Sequence, residues 1–186
     1  MFPIPELKIG LLNAWLPIIG FNIFMMIFPQ LVNRKGAKRA VDTSWYTKKD
    51  KIFMFLSFIF WYGQLVYAVW VPIVTSTIWF YTGVIISITG LIFYTIANVN
   101  YVNAPINEAI TNGMYKISRN PMYFFSFLII TGIALISSSW VLFFIMLVYG
   151  LITYQIIKGE ERYCLKTYGL EYREYMKKVP RYFLFF

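Results

Sequence analysis

The chain has 186 residues, of which 59% are hydrophobic and only 13% are charged, about half the charged share of an ordinary soluble domain. The net charge is +9, but the cations lie between apolar runs and not along one polar face, which argues against a nucleic-acid-binding protein. There is no histidine, and Cys164 is the single cysteine. We therefore expect no metal site, no disulfide within the chain and no histidine base.

Three charge-free runs cover residues 9–33, 52–107 and 120–157. A membrane-spanning helix needs about 20 apolar residues, so the second and third runs each cross twice, with breaks at residues 72–77 and 137–139. The sequence predicts an all-α polytopic membrane bundle of about five transmembrane helices, forming one domain over residues 1–186. The predicted spans are 9–32, 52–71, 78–98, 121–137 and 140–157.

The Lys and Arg residues cluster in three segments, at positions 34–51, 116–119 and 158–181. With five spans, all three segments fall on the same side of the membrane. Since cytoplasmic connections carry an excess of Lys and Arg, this distribution predicts an outer N-terminus and a cytoplasmic C-terminus.

An amphipathic pattern begins at Glu160 and predicts a helical tail on the cytosolic surface. Apolar and aromatic residues recur there at helical spacing, and Gly169 is expected to interrupt the helix by adopting a left-handed conformation. The recurring residues are Leu165, Tyr168, Tyr172 and Tyr175.

Asn120 and Pro121 predict the start of the fourth span, because asparagine is a favoured N-cap and proline fits the first helical position. The N–H groups at such a start suit an anion, for example the carboxylate of an amino-acid ligand. Gly113 and Tyr115 precede it in a polar stretch that we interpret as a structured loop.

Glu160 and Glu161 directly follow the fifth span, so the membrane hairpin returns them to the face where Asn120 lies. Helix ends at this face favour Lys and Arg. A cationic ligand would explain the two carboxylates, and the alternative is a pair screened by Lys158 and Arg162.

Together these motifs resemble the isoprenylcysteine carboxyl methyltransferase and phospholipid methyltransferase superfamily. The resemblance covers about residues 98–183, leaving 1–97 as N-terminal helices without a signature. Its elements are Gly-x-Tyr at 113–115, Arg-x-Pro-x-Tyr at 119–123, Glu-Glu at 160–161, Tyr-Gly at 168–169, Glu-Tyr-x-x-Tyr at 171–175 and Val-Pro-Arg at 179–181. The resemblance implies an integral membrane methyltransferase that uses S-adenosylmethionine at the cytosolic face and takes a lipophilic acceptor from the bilayer.

The resemblance also implies the positions of the cofactor contacts. They are Asn107, Glu108, Ala109, Ile110, Tyr115, Asn120, Pro121, Met122, Tyr123 and Glu160, with Glu161 completing the acidic pair and Asn100 as a further candidate. Asn107 and Asn120 stand where family members often carry histidine, and asparagine cannot titrate. Methyl transfer can rely on orientation and exclusion of water, so we assign no catalytic residue.

The chain departs from each of the two named branches of the superfamily at one point. Ile156 occupies the substrate-binding position where isoprenylcysteine methyltransferases have an arginine for a carboxylate substrate, which predicts an acceptor other than a prenylcysteine acid. The chain also lacks the Gly-x-Gly motif of the phospholipid branch, so the general membrane branch fits better.

Two other functional classes remain open from the sequence. Membrane steroid reductases share a similar Arg-x-Pro-x-Tyr region and aromatic tail and use NADPH, but the Glu-Glu and Tyr-Gly elements favour methyl transfer. A non-enzymatic scaffold or transporter subunit is the second alternative, although transporters usually show internal repeats or ionisable residues at the membrane midplane.

Overall fold

The computed structural model describes residues 5–183, which form six α-helices, one short 3-10 helix and no strand beyond an isolated bridge between Asn13 and Pro72. Four of these helices are long and apolar enough to cross a membrane, and α5 is a shorter apolar helix. The predicted all-α membrane bundle is therefore confirmed. The helices are α1 (Trp15–Val32), α2 (Arg34–Arg39), α3 (Lys48–Ala68), α4 (Ile78–Asn103), α5 (Pro121–Ile136) and α6 (Trp140–Lys178), with the 3-10 helix at Gly113–Lys116.

The first helix begins later than the sequence predicted, at Trp15 and not at residue 9. The cause is Asn13, whose side-chain amide donates to Lys8 O at 2.7 Å and to Val69 O at 2.6 Å. These bonds hold the segment before α1 across the end of α3. This segment was predicted to be helical because it is apolar, but the hydrogen bonds of Asn13 hold it outside the helix.

The turn after α3 and the turn after α5 meet at one end of the bundle, together with the segment before α1. Ala14 N donates to Val71 O at 2.8 Å, and Val74 N donates to Ile136 O at 3.1 Å. The basic connection after α1, the loop after α4 and the end of α6 consequently share the opposite end.

Small residues bring α4 and α5 into close contact. A Cβ on Gly132 would lie 2.6 Å from Gly83 O, and Ser87 Oγ donates to Ile129 O at 3.1 Å. Membrane helices associate through such small residues because no hydrophobic effect drives packing in lipid. This contact fixes the second half of α5 against the first half of α4.

Helix α3 packs antiparallel to α6 and ties the first connection to it. The rings of Trp61 and Tyr149 lie 5.2 Å apart, and near the polar end Arg162 forms an ion pair with Asp50. Trp61 Nε1 also donates to Asn22 Oδ1 at 2.7 Å, a hydrogen bond between α3 and α1 of the kind that polar side chains form inside membrane bundles.

The last helix differs from the predicted span of 140–157 followed by a separate tail. Helix α6 continues from Trp140 to Lys178, because no breaker separates the apolar part from the amphipathic part. Its one non-helical residue is Gly169, with φ +58°, which confirms the predicted interruption. A positive φ is readily adopted only by glycine, and it turns the remainder of the helix back toward the loop after α4.

The short helix α2 was not predicted, since the sequence there reads only as a polar connection. The side chain of Asn33 caps it by accepting from Lys35 N at 3.1 Å and from Gly36 N at 3.2 Å. Gly36 and Ala37 are buried, and Val102 O occupies the space that a Cβ on Gly36 would need. Helix α2 is therefore seated directly on the end of α4.

Candidate active site

Glu160 and Glu161 are adjacent on α6 but face different neighbours, because successive helical residues point about 100° apart. Glu160 accepts a hydrogen bond from Tyr123 Oη on α5 at 2.6 Å. This contact joins the Arg-x-Pro-x-Tyr element to the Glu-Glu element, as expected from the hairpin that connects them. Glu161 is instead 4% exposed and lies among arginines.

Glu161 is held by two arginines. Arg119 Nε lies 3.0 Å from Oε1, and Arg181 Nη2 lies 2.6 Å from Oε2. Arg119 also donates to the carbonyls of Met176 at 2.7 Å and Val179 at 2.8 Å. The network attaches the segment after α6 to the start of α5, and it compensates the charge of Glu161 inside the protein.

Glu160 has no such compensation, since none of the ion pairs within residues 5–183 involves it. Burial raises the pKa of its carboxyl to about 7; the Tyr123 hydrogen bond opposes this shift, and the charge of Glu161 adds to it. Three further tyrosines, Tyr46, Tyr101 and Tyr115, lie within electrostatic reach. The result is a half-buried carboxyl group, poised to ionise near neutral pH, in aromatic surroundings.

The 3-10 helix holds Tyr115 beside α4 through polar contacts on both sides. Asn100 Oδ1 accepts from Met114 N at 2.9 Å, and Tyr175 Oη donates to Tyr115 O at 2.6 Å. The rings of Tyr115 and Tyr101 lie 6.4 Å apart. Asn100 and Tyr115, both predicted as cofactor contacts, thus belong to one hydrogen-bonded cluster within electrostatic reach of Glu160.

A cavity of about 250 Å³ opens beside this cluster, between the end of α4, the following loop and the segment after Gly169. Four predicted contacts, Asn100, Glu108, Ala109 and Ile110, line it. The other lining residues are Val99, Asn103, Ala104, Pro105, Thr111, Asn112 and Glu171. The cavity is polar and carries two carboxylates, which suits a ligand with hydroxyl or amino groups.

The start of α5 agrees with the sequence in position but not in every contact. Pro121 occupies the first helical turn and Asn120 precedes it, yet the Asn120 side chain makes no capping bond and donates to Arg181 O at 3.4 Å. Met122 Sδ accepts from Asn98 Nδ2 at 3.6 Å. The helix start is thus held by the C-terminal segment, and not by its own cap.

Two predicted residues lie apart from the Glu160 cluster. Asn107 is exposed in the loop and does not line the cavity. Ile156 is 5% exposed on the inner face of α6, while the exposed Lys158 places Nζ 4.4 Å from the centroid of the Tyr154 ring. Lys158 therefore does not replace an arginine at position 156.

Sequence reasoning missed the partners of Glu161 and the role of Glu171 in lining the cavity. Arg119, Arg181 and Glu171 all lie within the quoted motifs, but their spacing does not show which side chains meet. The available signal was Gly169, whose positive φ brings residues 170–183 back over the loop and the start of α5.

Comparison with known proteins places this chain in a family. A family model described as phospholipid methyltransferase matches residues 58–171, more than half of the chain, and this region contains α4, α5, Tyr123, Glu160 and Glu161. No curated protein and no solved structure matches the chain. The match does not support the preference for the general membrane branch that the missing Gly-x-Gly motif suggested. The chain belongs to the phospholipid methyltransferase family, and it is a membrane methyltransferase of the type that acts on lipid substrates.

Proposed function

We propose that this protein transfers a methyl group from S-adenosylmethionine to a lipophilic acceptor at the cytosolic face of the membrane. The observation that carries the proposal is the contrast between the two carboxylates. Glu161 is neutralised by Arg119 and Arg181, whereas Glu160 is half-buried, bonded to a tyrosine and without a cation. A buried carboxylate is stable only when a positive partner or hydrogen bonds compensate it, and a sulfonium ligand would supply the missing charge.

The residues present fit this cofactor. Glu160 and the surrounding tyrosines offer a carboxylate and aromatic faces for a cationic centre, and Asn100 and the 108–110 segment offer polar groups at the cavity. When bound, S-adenosylmethionine supplies a methyl group on a positively charged sulfur. The contribution of the protein is to orient the reacting groups and to exclude water, and it needs no covalent participation.

The acceptor is proposed to be a lipophilic molecule other than a prenylcysteine acid. Ile156 is buried and aliphatic, and Lys158 contacts Tyr154 instead of turning toward the interior. Neither side chain can form the bidentate pair that an arginine forms with a carboxylate.

The acceptor is tested by offering the purified protein labelled S-adenosylmethionine with a prenylcysteine analogue, an aminophospholipid and a membrane lipid extract. Methyl transfer to the prenylcysteine carboxylate alone would refute this part of the proposal.

The cofactor is tested by calorimetric titration of the purified protein with S-adenosylmethionine, S-adenosylhomocysteine and NADPH. Glu160→Gln should weaken S-adenosylmethionine binding by roughly ten- to a hundredfold, as expected for the loss of a charge-assisted contact. Tyr123→Phe should weaken it less. Glu174→Gln is the matched control, because Glu174 lies exposed on the same helix and pairs only with Lys177.

Two results would contradict the proposal. Unchanged S-adenosylmethionine binding in folded Glu160→Gln and Tyr123→Phe would remove the site assignment. Tight binding of NADPH without binding of S-adenosylmethionine would indicate an NADPH-dependent membrane reductase and not a methyltransferase that uses S-adenosylmethionine.

A further inference from the structure

Arg39, the last residue of α2, lies against the polar end of α4. Its Nη2 donates to Tyr101 O at 2.7 Å and its Nη1 donates to Pro105 O at 3.0 Å. The guanidinium carbon also lies 4.8 Å from the centroid of the Tyr101 ring. These contacts fix the guanidinium group at the end of the bundle that carries Glu160.

The charge of Arg39 has no anionic partner within residues 5–183. Arg119, Arg162 and Arg181 each form an ion pair with a carboxylate, and Arg39 does not. Its Nε is buried and makes no hydrogen bond. Carbonyl groups at a helix end carry only partial negative charge, so a half-buried guanidinium in this position lacks both a counter-charge and one hydrogen bond.

Arg39 and Glu160 both lie within electrostatic reach of Tyr101 and of Cys164, which lies one turn after Glu160. Pro105, whose carbonyl oxygen accepts from Arg39, also lines the 250 Å³ cavity. One carboxyl group and one guanidinium group, each without an ion-pair partner in the part of the chain that the structure describes, therefore lie at the same end of the bundle, which suits a ligand with separated positive and negative charges.

We propose that Arg39 binds an anionic oxygen group, a carboxylate or a phosphate, of a ligand held beside Tyr101. The inference deepens the proposed function, because it adds an anion contact to the same site. A guanidinium group suits both anions through its planar set of donors. The anion would be the carboxylate of the cofactor or the phosphate of a phospholipid acceptor.

Two pairs of ligands distinguish these sources. The first pair is S-adenosylmethionine and its decarboxylated analogue, which lacks only the carboxylate, titrated by calorimetry. The second pair is dioleoylphosphatidic acid and dioleoylglycerol, which differ by the phosphate, with binding followed by native mass spectrometry in maltoside micelles. The full-length protein is compared with Arg39→Gln, which keeps two N–H donors for the carbonyls of Tyr101 and Pro105 but removes the charge.

The wild-type protein should prefer the anionic member of at least one pair by about tenfold or more, as expected for a charge-assisted bond, and Arg39→Gln should lose that preference. Arg34→Gln is the control, since Arg34 is exposed on the same helix. If Arg39→Gln does not fold, Arg39→Lys takes its place and should reduce the preference by about threefold, because an ammonium group cannot bind bidentately.

Three outcomes separate this proposal from the proposed function. Equal binding of both members of both pairs by the wild type, or a preference that persists in the Arg39 variant, overturns the role of Arg39. A preference for S-adenosylmethionine over its decarboxylated analogue that is lost in the variant supports Arg39 as the group that binds the cofactor carboxylate. The N–H groups at the start of α5 would then not be the carboxylate site. A preference for phosphatidic acid, lost in the variant, without any S-adenosylmethionine binding supports Arg39 and refutes the cofactor.

Discussion

The pKa of about 7 at Glu160 makes ligand binding depend on pH. A cationic ligand binds the ionised carboxylate, and this form becomes populated as the pH rises through 7. The affinity for S-adenosylmethionine should therefore increase by up to about tenfold per pH unit below 7 and level off above it. Calorimetric titrations between pH 6 and 8.5 would measure this dependence.

Glu160→Gln provides the control for the pH dependence, because an amide does not titrate in this range. The variant should bind weakly and with a flat profile between pH 6 and 8.5. An equal slope in the wild type and in Glu160→Gln would show that another group causes the pH effect.

The folding stability of the protein without ligand should change in the opposite sense to the binding affinity. Since the folded-state pKa of Glu160 lies above the ordinary glutamate value, ionisation of Glu160 between about pH 4.5 and 7 lowers this stability.

Glu161 should contribute to stability more than any carboxylate on the surface of α6. Glu161→Gln leaves Arg119 and Arg181 without their shared counter-charge, and removal of one partner from a buried ion pair costs about 3–5 kcal/mol. We expect a clearly lower unfolding midpoint by thermal or denaturant unfolding in detergent. Glu174→Gln, which breaks only the exposed pair with Lys177, should change the midpoint little.

The stability measurement separates two roles for the acidic pair. If Glu161→Gln is as stable as the wild type but fails to bind S-adenosylmethionine, Glu161 is a ligand contact and its arginine pairs contribute little. If the variant loses stability while the remaining folded fraction binds the ligand, the arginine network is structural and Glu160 alone meets the cofactor.

At the scale of elements, the close approach of α4 and α5 depends on Gly132. A Cβ there would lie 2.6 Å from Gly83 O and even closer to Ser87 Oγ, so Gly132→Ala must push the helices apart. Overpacking of this kind costs about 1–3 kcal/mol. Gly63→Ala on α3 is the matched control, because nothing lies within 4 Å of its Cβ and alanine stabilises a helix interior by about 0.5–1 kcal/mol.

Unfolding midpoints of the two glycine variants, measured in the same detergent, show whether tight helix packing or helix propensity determines the effect of each alanine. A destabilised Gly132→Ala beside a neutral or stabilised Gly63→Ala is the expected pair of results. Equal stabilisation of both variants would mean that α4 and α5 do not pack as closely in the membrane as they do here.

The elements that the sequence predicted best carry local signals. Asn120-Pro121 and Ser137–Ser139 mark the ends of α5, and Gly169 marks the interruption of α6. The start of α1 was missed because it depends on a long-range contact: the Asn13 side chain, which bonds to Val69 O, holds the preceding segment outside the helix. The continuity of α6 was missed because the change from an apolar to an amphipathic pattern was taken as the end of the span, although no helix breaker lies there.

Some contacts of the candidate site could likewise be predicted from the sequence, and others could not. The pairing of Tyr123 with Glu160 follows from the hairpin, since a helix pair that crosses the membrane and returns makes its polar ends neighbours. The ion pairs of Glu161 were not predictable, because Arg181 lies 20 residues away and reaches Glu161 only after the chain turns at Gly169. The contact that a helix hairpin produces could be predicted, and the contact that depends on the direction of the chain after Gly169 could not.

At the scale of the whole molecule, the two ends of the bundle differ in charge. The segment before α1 and the turns at 69–77 and 137–139 meet at one end. The opposite end carries α2, the loop after α4, the end of α6 and most of the Lys and Arg residues. An excess of Lys and Arg is typical of the cytoplasmic side, so the candidate site is expected to face the cytoplasm.

Single introduced cysteines test this orientation in a Cys164→Ser background. Burial raises the pKa of the Cys164 thiol to about 11, so the native cysteine would react slowly from either side and gives an ambiguous result. Lys38 on α2 and Thr75 between α3 and α4 are both exposed and lie at opposite ends of the bundle. Lys38→Cys should react with an impermeant maleimide only in inverted vesicles, and Thr75→Cys only in intact cells. The reverse pattern would place Glu160 on the outer face, away from cytosolic S-adenosylmethionine, and labelling of both positions from one side would contradict the bundle's crossing of the membrane between them.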